Sequence, residues 1–469
     1  MPNRPDADLH PPMMKLAAQA TLGAPKRRQR PSSAAAARRR LAVALVLVPL
    51  LALAWLAGAA LRRPALAQAD AGYRAFLAEL WPEAQRLGIS RATFDRAFEG
   101  VEPDRSLPDL VLPGQEVKGQ PEFTRTPAQY LDADYLGRLS EQGRTLLKQH
   151  ATHLEKIERE LGVQRQFVLA IWGRETAFGS HRSNYYVIKA LATQAYLGRR
   201  KDMFRTELLY ALKMLEDGVR TRETLTGSWA GAMGLTQFMP SEYYTVAYDL
   251  DGDGRKDIWT STGDALASAA NQLRAKGWVP GQSWGYEVRL PADLGCGLEG
   301  PEQRRPLKDW VKLGVSRVAG AFPADVLEAP AFLLMPAGSH GPAFLALENF
   351  LVIKAYNMSD LYALFVGNLG DRIGGGQAFT TPWADVKQLS AMGIQEIQTG
   401  LKKLGYDVAK IDGKAGMNTR ALIGAYQKAS NLKVDCWPTE AIVKHLRANP
   451  QLRASAAGTP AETGATAPR

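Results

Sequence analysis

The sequence has 469 residues, which at about 100–200 residues per domain leaves room for two to four domains. Its formal net charge of +11 is mostly local, since residues 1–63 contain 11 Lys and Arg but only 2 Asp and Glu. The rest of the chain has a net charge of +2, which does not favour a nucleic-acid-binding body.

Residues 1–69 have the pattern of an export segment. Residues 1–40 are basic and rich in Ala, Pro and Ser, which predicts disorder. Arginines at 38–40 precede 21 uncharged residues at 41–61, and two small-x-small sites follow. This order predicts a signal peptide, but the apolar run is also long enough for an uncleaved membrane anchor. Both alternatives place the rest of the chain outside the cytoplasm, and the lack of a cysteine after the run excludes a lipoprotein.

The remaining sequence divides into several segments. Residues 70–373 are dense in apolar and aromatic positions, 374–385 are predicted to be a Gly-rich linker, 386–447 form a small module, and the tail at 448–469 is predicted to be disordered. Cys296 and Cys436 are too few for a disulfide framework, and the sequence leaves open whether they pair.

The large segment is predicted to be helical, with a small β insertion. Apolar spacing predicts one helix over 141–162 and another over about 165–178. Short alternating stretches rich in Gly and Pro predict a β region within 285–340. The module is predicted to contain three short helices. The expected fold class is therefore mainly α (α+β), with a helical domain followed by a three-helix C-terminal module.

Glu175 is the first candidate for chemistry, because it lies on the apolar face of the 165–178 helix with Ile171 and Trp172. Burial raises the pKa of such a carboxyl and makes it a proton donor near neutral pH. The alternative is a buried ion pair with Arg174 or another base.

Residues 227–241 are the second candidate, because they are too rich in Gly and Ala for an ordinary helix and too apolar for an exposed loop. Small residues allow close approach of the backbone to a neighbour. Ser228 and Gln237 could bind a sugar, whereas the alternative is a tight packing motif without a ligand.

The segments 171–179, 227–241 and 354–359 together resemble the B family of membrane-bound lytic murein transglycosylases, which are lysozyme-like enzymes of the bacterial cell wall. Shorter segments at 120–123, 257–259 and 341–345 fit the same pattern, and the similarity spans about residues 73–373. The resemblance implies a periplasmic enzyme that acts on peptidoglycan glycan strands.

The resemblance also implies roles for individual residues. Glu175 is expected to be the catalytic acid/base, and the glycan cleft is expected to be lined by Ser228, Gln237, Tyr356, Asn357 and Tyr362. Arg199 and Arg200 match a basic pair that faces the substrate in the family, with a solvated surface pair as the alternative. Two departures from the family pattern are Gln272, where an aromatic residue is usual, and Arg174, where an apolar residue is usual.

The resemblance implies a lytic reaction with one catalytic carboxylate, whereas ordinary glycosidases use two. In the family, one Glu protonates the bond between N-acetylmuramic acid and N-acetylglucosamine and then helps the C6 hydroxyl to close a 1,6-anhydro ring, without a cofactor. Glu207 is a possible second carboxylate, but a structural role is expected. The alternatives are a hydrolytic muramidase and a non-catalytic peptidoglycan-binding scaffold.

Residues 249–260 fit the front of an EF-hand loop, and the related enzymes have a calcium site of this shape. Position 12 is Thr260 rather than Glu, so Asp264 is expected to close the site. The alternative is an Asp/Gly-rich surface turn. The expected site is structural and uses Asp249, Asp251, Asp253, Arg255 and Asp264.

The C-terminal module resembles the three-helix peptidoglycan-binding domain of wall hydrolases, chiefly in residues 411–420. Residues 386–447 carry 10 Lys and Arg against 5 Asp and Glu, which suits an anionic wall polymer. A DNA-binding module of similar size is disfavoured by export. No nucleic-acid partner is expected, and membrane contact is expected only through the N-terminal segment. Deleting the chain after Ile373 is expected to weaken wall binding but to spare cleavage of soluble fragments.

Overall fold

The computed structural model describes residues 71–112 and 125–449. The predicted export segment and almost all of the predicted C-terminal tail lie outside these residues. The chain from Tyr73 onward forms one compact unit, which includes the C-terminal module. Within the described residues, none of the helices combines the length and the apolar character that crossing a membrane requires.

Helices build most of the large segment, which confirms the predicted fold class. Before the sheet they are, in chain order, α1 (71–86), α2 (Arg91–Phe98), α3 (Pro127–Tyr130), α4 (Ala133–Gln149), α5 (Ala151–Leu161), α6 (Arg165–Thr176), α7 (Val187–Leu197), α8 (Lys201–Glu216), α9 (Pro240–Val246) and α10 (Thr262–Ala275).

The helix predicted over 141–162 is two helices, α4 and α5, which meet at His150. The His150 backbone leaves the helical conformation (φ −103°, ψ 20°), and its ring makes an edge contact with Trp172 on α6. The break lets α4 pack against α6 while α5 packs against α10. Gly162 ends α5 in the left-handed conformation, as predicted.

Helix α6 lies at the centre of the main hydrophobic core and is buried on nearly all sides. A second core forms between α1, α2, α7 and α8. Tyr356 packs against both cores, so the junction between them lies beside the aromatic residues of the candidate site.

The predicted β region is an antiparallel five-stranded sheet with strand order β4-β6-β7-β3-β5. Its edge strand β5 pairs only with β3, whereas β7 lies in the middle between β6 and β3. A separate two-stranded ribbon pairs Tyr185 with Gly227. The strands are β1 (Tyr185–Tyr186), β2 (Thr226–Gly227), β3 (Gly285–Arg289), β4 (Arg305–Pro306), β5 (Ser316–Arg317), β6 (Pro330–Leu334) and β7 (Ala343–Ala346), and α11 (Leu307–Lys312) follows β4.

After the sheet, the described part of the chain contains five helices, and the last three form the predicted module. Its core contains Ile394, Ile423 and Ile442, one from each module helix. The helices are α12 (Glu348–Asn357), α13 (Asp360–Ile373), α14 (Ala391–Lys403), α15 (Met417–Ala429) and α16 (Glu440–Ala448).

Residues 374–390, which include the predicted linker, contain no helix or strand but are held against the sheet. The Phe379 ring lies 4.7 Å from that of Phe344, and the backbone N–H groups of Thr380 and Thr381 donate to Glu287. The segment therefore packs onto the helical domain instead of separating it from the module.

Three further connections join the module to the rest of the chain. Cys296, before α11, forms a disulfide with Cys436 of the module, which answers the question that the sequence left open. Arg420 of α15 forms a buried ion pair with Glu299. Met417, at the start of α15, belongs to the main core of the helical domain. The module is thus attached by a covalent bond, a buried ion pair and apolar contact.

Candidate active site

Glu175 lies in the last turn of α6, with its side chain partly exposed. The helix ends two residues earlier than predicted, because Ala177 (φ 45°) and Phe178 (φ 57°) adopt left-handed backbone conformations. Such conformations are costly for residues other than Gly and occur mostly where the surrounding structure enforces them, often at functional sites.

Thr176 connects this helix end to the Gly- and Ala-rich segment 227–241. Its hydroxyl donates to the Leu235 carbonyl (2.7 Å) and accepts from the N–H of Gly179 (3.1 Å). Gly234 must be glycine here, since an added Cβ would lie 2.6 Å from the Ile258 carbonyl oxygen. Two segments that are about 60 residues apart in the sequence therefore meet beside Glu175.

Tyr362 and Tyr356 bring the third segment to the same place. The Tyr362 hydroxyl donates a hydrogen bond to Glu175, and the Tyr356 hydroxyl donates to the Thr236 carbonyl (2.8 Å). The two rings are nearly parallel, with centroids 6.2 Å apart. Burial, and next the charge of Glu175, raise the pKa of both phenols well above 10, so both remain proton donors at physiological pH.

Arg174, the neighbour of Glu175 in the sequence, lies beside the same tyrosines. Its guanidinium donates to the Tyr130 hydroxyl (2.7 Å) and lies 5.8 Å from the centre of the Tyr362 ring. Burial alone would lower the pKa of Arg174, but Tyr130 and Glu175 raise it overall. A fixed positive charge therefore accompanies the carboxylate.

The polar residues of the 227–241 segment shape the wall next to Glu175. The Ser228 hydroxyl accepts hydrogen bonds from the N–H groups of Ala230 and Ala232, which fixes the loop. Gln237 has a left-handed backbone (φ 56°) and lines a cavity of about 200 Å³ together with Thr176. Each is therefore held by its own loop next to the carboxylate-bearing helix.

Comparison with known families agrees with this arrangement. The family model described as "Transglycosylase SLT domain" matches residues 72–371, which is more than half of the chain. The chain belongs to this transglycosylase family. A second model, "Putative peptidoglycan binding domain", matches residues 391–446 of the C-terminal module.

Individual relatives support the family assignment. The chain is 31% identical over 237 residues to membrane-bound lytic murein transglycosylase B of Escherichia coli (strain K12), a match that covers 50% of this chain and 63% of the relative. It is 41% identical to the crystal structures of SltB3 from Pseudomonas aeruginosa in complex with NAG-NAM-pentapeptide and with NAG-anhNAM-pentapeptide. Both comparisons cover 80% of this chain and 99% of SltB3, with TM-scores of 0.71 and 0.70.

Asn357 is exposed at the end of α12, beside the left-handed Met358. Arg199 and Arg200 both pair with Asp109, which is buried and has a left-handed backbone (φ 65°). Each arginine side chain remains more than 40% exposed. The two arginines therefore each have a buried ion-pair partner, and the exposed part of each side chain is accessible to a ligand.

The other carboxylates near the candidate site have structural partners. Glu207 accepts hydrogen bonds from the N–H (2.9 Å) and the hydroxyl (2.7 Å) of Ser241, at the start of α9. Gln272 is buried and donates to Glu242, so it does not replace an exposed aromatic residue in the cleft. Burial raises the pKa of both Glu207 and Glu242.

The loop at 249–260 brings three of the predicted ligands together. Carboxylate oxygens of Asp249, Asp251 and Asp264 all lie within 4.8 Å of one another. Asp253 lies outside this group and instead accepts a hydrogen bond from the Arg255 N–H (2.8 Å). Burial, and next the charges of Asp251 and Asp249, raise the pKa of Asp264. Oxygen-only ligands at this spacing fit a hard divalent cation.

Three residues of the site had no signal in the sequence that singled them out. Thr176, Tyr130 and Thr236 act through contacts with segments 44 to 120 residues away. Local periodicity carries no information on such contacts. Thr176 and Thr236 lie inside the family segments, and this is the one signal that could have indicated these two residues. Tyr130 lies outside those segments.

Proposed function

We propose that this chain is a lytic murein transglycosylase, which cleaves the β-1,4 bond between N-acetylmuramic acid and N-acetylglucosamine in peptidoglycan and leaves 1,6-anhydro-N-acetylmuramic acid ends. The observation that carries the proposal is the meeting of three separate segments around one carboxylate. Glu175 accepts a hydrogen bond from Tyr362, and Thr176 of the same helix donates a hydrogen bond to residues 227–241.

Glu175 would act first as an acid and then as a base. It donates its proton to the glycosidic oxygen, the C1–O bond breaks, and the bonding electrons leave with the N-acetylglucosamine oxygen. The acetamido group of the substrate stabilises the cation at C1. Glu175 then takes the proton of the C6 hydroxyl, whose oxygen forms the new bond to C1. No water is consumed, and the starting protonation state of Glu175 is restored.

Tyr362 and Arg174 would control the charge on Glu175 during this cycle. A tyrosine hydroxyl that donates to the carboxylate stabilises its ionised form, and so does the nearby guanidinium. Both favour proton release in the first step. Tyr356 fixes the wall by its bond to Thr236, and the remaining contacts to the sugar are assigned to Ser228, Gln237, Asn357, Arg199 and Arg200.

The crystal structures of SltB3 support the substrate class and the product, because that protein is bound to a NAG-NAM-pentapeptide in one and to NAG-anhNAM-pentapeptide in the other. The match to the curated relative covers 63% of that protein, so the activity is proposed from the site and the family together. The proposed chemistry needs no cofactor.

The products released from purified sacculi test the proposal. A 1,6-anhydro product is one water lighter than a product with a reducing end, and mass analysis separates the two. The proposal expects anhydro ends. Reducing ends alone would identify a hydrolytic muramidase, and an absence of soluble products would identify a non-catalytic wall-binding scaffold.

A structural Ca²⁺ ion is proposed for the 249–264 loop, on the spacing of Asp249, Asp251 and Asp264. Periplasmic export through the N-terminal segment is proposed as well, with either a cleaved signal or an inner-membrane anchor. The Cys296–Cys436 disulfide supports this location, because disulfides persist in oxidising compartments. The basic C-terminal module is assigned to peptidoglycan binding.

A further inference from the structure

Arg420 belongs to the C-terminal module but is buried against the helical domain between two carboxylates. Its guanidinium binds both oxygens of Glu299, at 2.5 and 3.0 Å, and lies 3.3 Å from Asp360. A third N–H donates to the Ala415 carbonyl (2.6 Å). The arginine is 2% exposed and the two carboxylate residues 3% and 8%. Such a bidentate, desolvated contact has one geometry and tolerates little displacement of the arginine relative to the carboxylate.

Asp360 is the first residue of α13, the helix that carries Tyr362. Its other carboxylate oxygen binds the Lys354 ammonium (2.7 Å), so cations from two different elements hold it. The preceding Ser359 caps the helix by accepting from the Tyr362 N–H. Burial alone would raise the pKa of Asp360, but Lys354 and Arg420 lower it, which keeps the carboxylate ionised. The start of α13 is therefore fixed electrostatically.

We propose that Arg420 is a positioning residue for catalysis: it fixes the start of α13 and, through that helix, the Tyr362 hydroxyl that contacts Glu175. The inference rests on the proposed function of Glu175. On this view the module contributes to the chemical step as well as to wall binding.

Attachment of the module does not depend on Arg420, since the Cys296–Cys436 disulfide and the packing of Met417 remain when Arg420 is changed. Substitution at this residue therefore separates its effect on Tyr362 from loss of the module.

The test compares Arg420→Gln and Arg420→Lys in the full chain with a matched control, Arg447→Gln. Arg447 is an exposed arginine of the same module, and its partner is Glu396. The measurements are kcat and KM on soluble uncross-linked glycan strands, binding to sacculi, and thermal unfolding. Because a displacement of about 1 Å can cost about 100-fold in rate, kcat should fall by about 10- to 100-fold in Arg420→Gln. KM and sacculus binding should stay near the wild-type values, Arg420→Lys should recover part of kcat, and the control should have the wild-type kcat on the soluble strands.

A second variant keeps the proposal testable if Arg420→Gln does not fold. Arg420→Gln leaves the Glu299 charge buried without its partner, which is strongly destabilising. Glu299→Gln combined with Arg420→Gln removes both charges, while Lys354 still pairs with Asp360. The folded double variant should show the same fall in kcat.

The deciding measurement is a double-mutant cycle with Tyr362→Phe. If Arg420 acts through Tyr362, adding Arg420→Gln to Tyr362→Phe should lower kcat little further. Independent, multiplicative effects, or wild-type kcat in the folded Glu299→Gln/Arg420→Gln variant, would overturn the proposal. A wild-type protein that releases no anhydro product in the same assay would instead defeat the proposed function.

Discussion

At the scale of single residues, the site depends on how Glu175 is surrounded rather than on Glu175 alone. The sequence indicated this residue from helical periodicity, and the structure adds a hydroxyl from Tyr362 and a charge from Arg174. Tyr362 does not follow from local pattern, because it is 187 residues from Glu175, whereas the adjacent Arg174 was a candidate ion-pair partner from the sequence. A central core was predictable from apolar spacing, whereas a hydrogen-bond partner this far away in the sequence was not.

The first prediction concerns the proton carried by Glu175. Glu175→Gln keeps the size and hydrogen-bonding shape of the side chain but cannot donate and retrieve a proton. Release of soluble fragments should fall by at least about 10²–10⁴-fold, the usual contribution of general acid–base catalysis. Thermal unfolding and sacculus binding should remain close to wild type. A variant with nearly full activity would move the role of acid to another carboxylate.

At the scale of elements, the sequence predicted the types of helix and strand well but not where the chain bends between them. One predicted helix breaks at His150, because its two halves pack on different partners, and α6 stops at Thr176 because residues 177–179 turn back to the 227–241 segment. Both differences arise from tertiary packing. Helical spacing continues through such points and therefore cannot indicate them.

The loop at 249–264 is expected to respond to calcium. Ca²⁺ binds the folded state and not the unfolded chain, so it should raise the melting temperature by mass action. Asp251→Ala should abolish that increase and leave some activity, whereas Asp253→Ala should have a smaller effect because Asp253 lies outside the carboxylate group. The check is a melting curve with added Ca²⁺ and with a chelator. Identical curves in the wild-type protein would argue for a surface turn.

Helix α13 has a half-buried aspartate, Asp371, near its other end. Burial raises the pKa of Asp371 to about 7, although Trp284 donates to it. The folded state thus holds a proton that the unfolded chain releases near pH 4, so this group lowers stability as pH rises from about 4 through 7. Asp371→Asn is neutral at every pH. Its unfolding free energy, measured by denaturant titration at pH 5 and pH 8, should fall less across that range than that of the wild type. An unchanged pH difference would contradict the assignment.

At the scale of the whole molecule, the C-terminal module packs against the helical domain through apolar contact and a buried ion pair. The sequence predicted that deletion after Ile373 would spare cleavage of soluble fragments, because the family segments all precede that point. The structure argues against this, since deletion would remove Met417 from the main core and leave Glu299 without Arg420. Contacts between domains carry no local signature, which explains why the sequence led to the simpler expectation.

The disulfide should contribute substantially to stability. Replacing Cys296 and Cys436 by Ala should lower the free energy of unfolding by about 2–5 kcal/mol, because the cross-link restricts the unfolded chain. Below the melting temperature, activity should persist, since Arg420 and Met417 still hold the module. Chemical denaturation under oxidising conditions measures the first effect and fragment release the second. Equal stability of the double variant and the wild type would show that the bond adds nothing beyond these contacts.

The same bond also changes the topology of the protein. It joins two residues that are 140 positions apart, so strands β4 to β7, α12, α13 and most of the module lie on one covalent ring, whereas β3 precedes Cys296 and lies outside it. A single cut by a protease in the surface segment 374–390 opens that ring but releases neither piece. The helical domain and the C-terminal module would stay covalently joined for as long as the disulfide is intact, and after reduction only non-covalent contacts such as those of Arg420 and Met417 would hold the nicked pieces together.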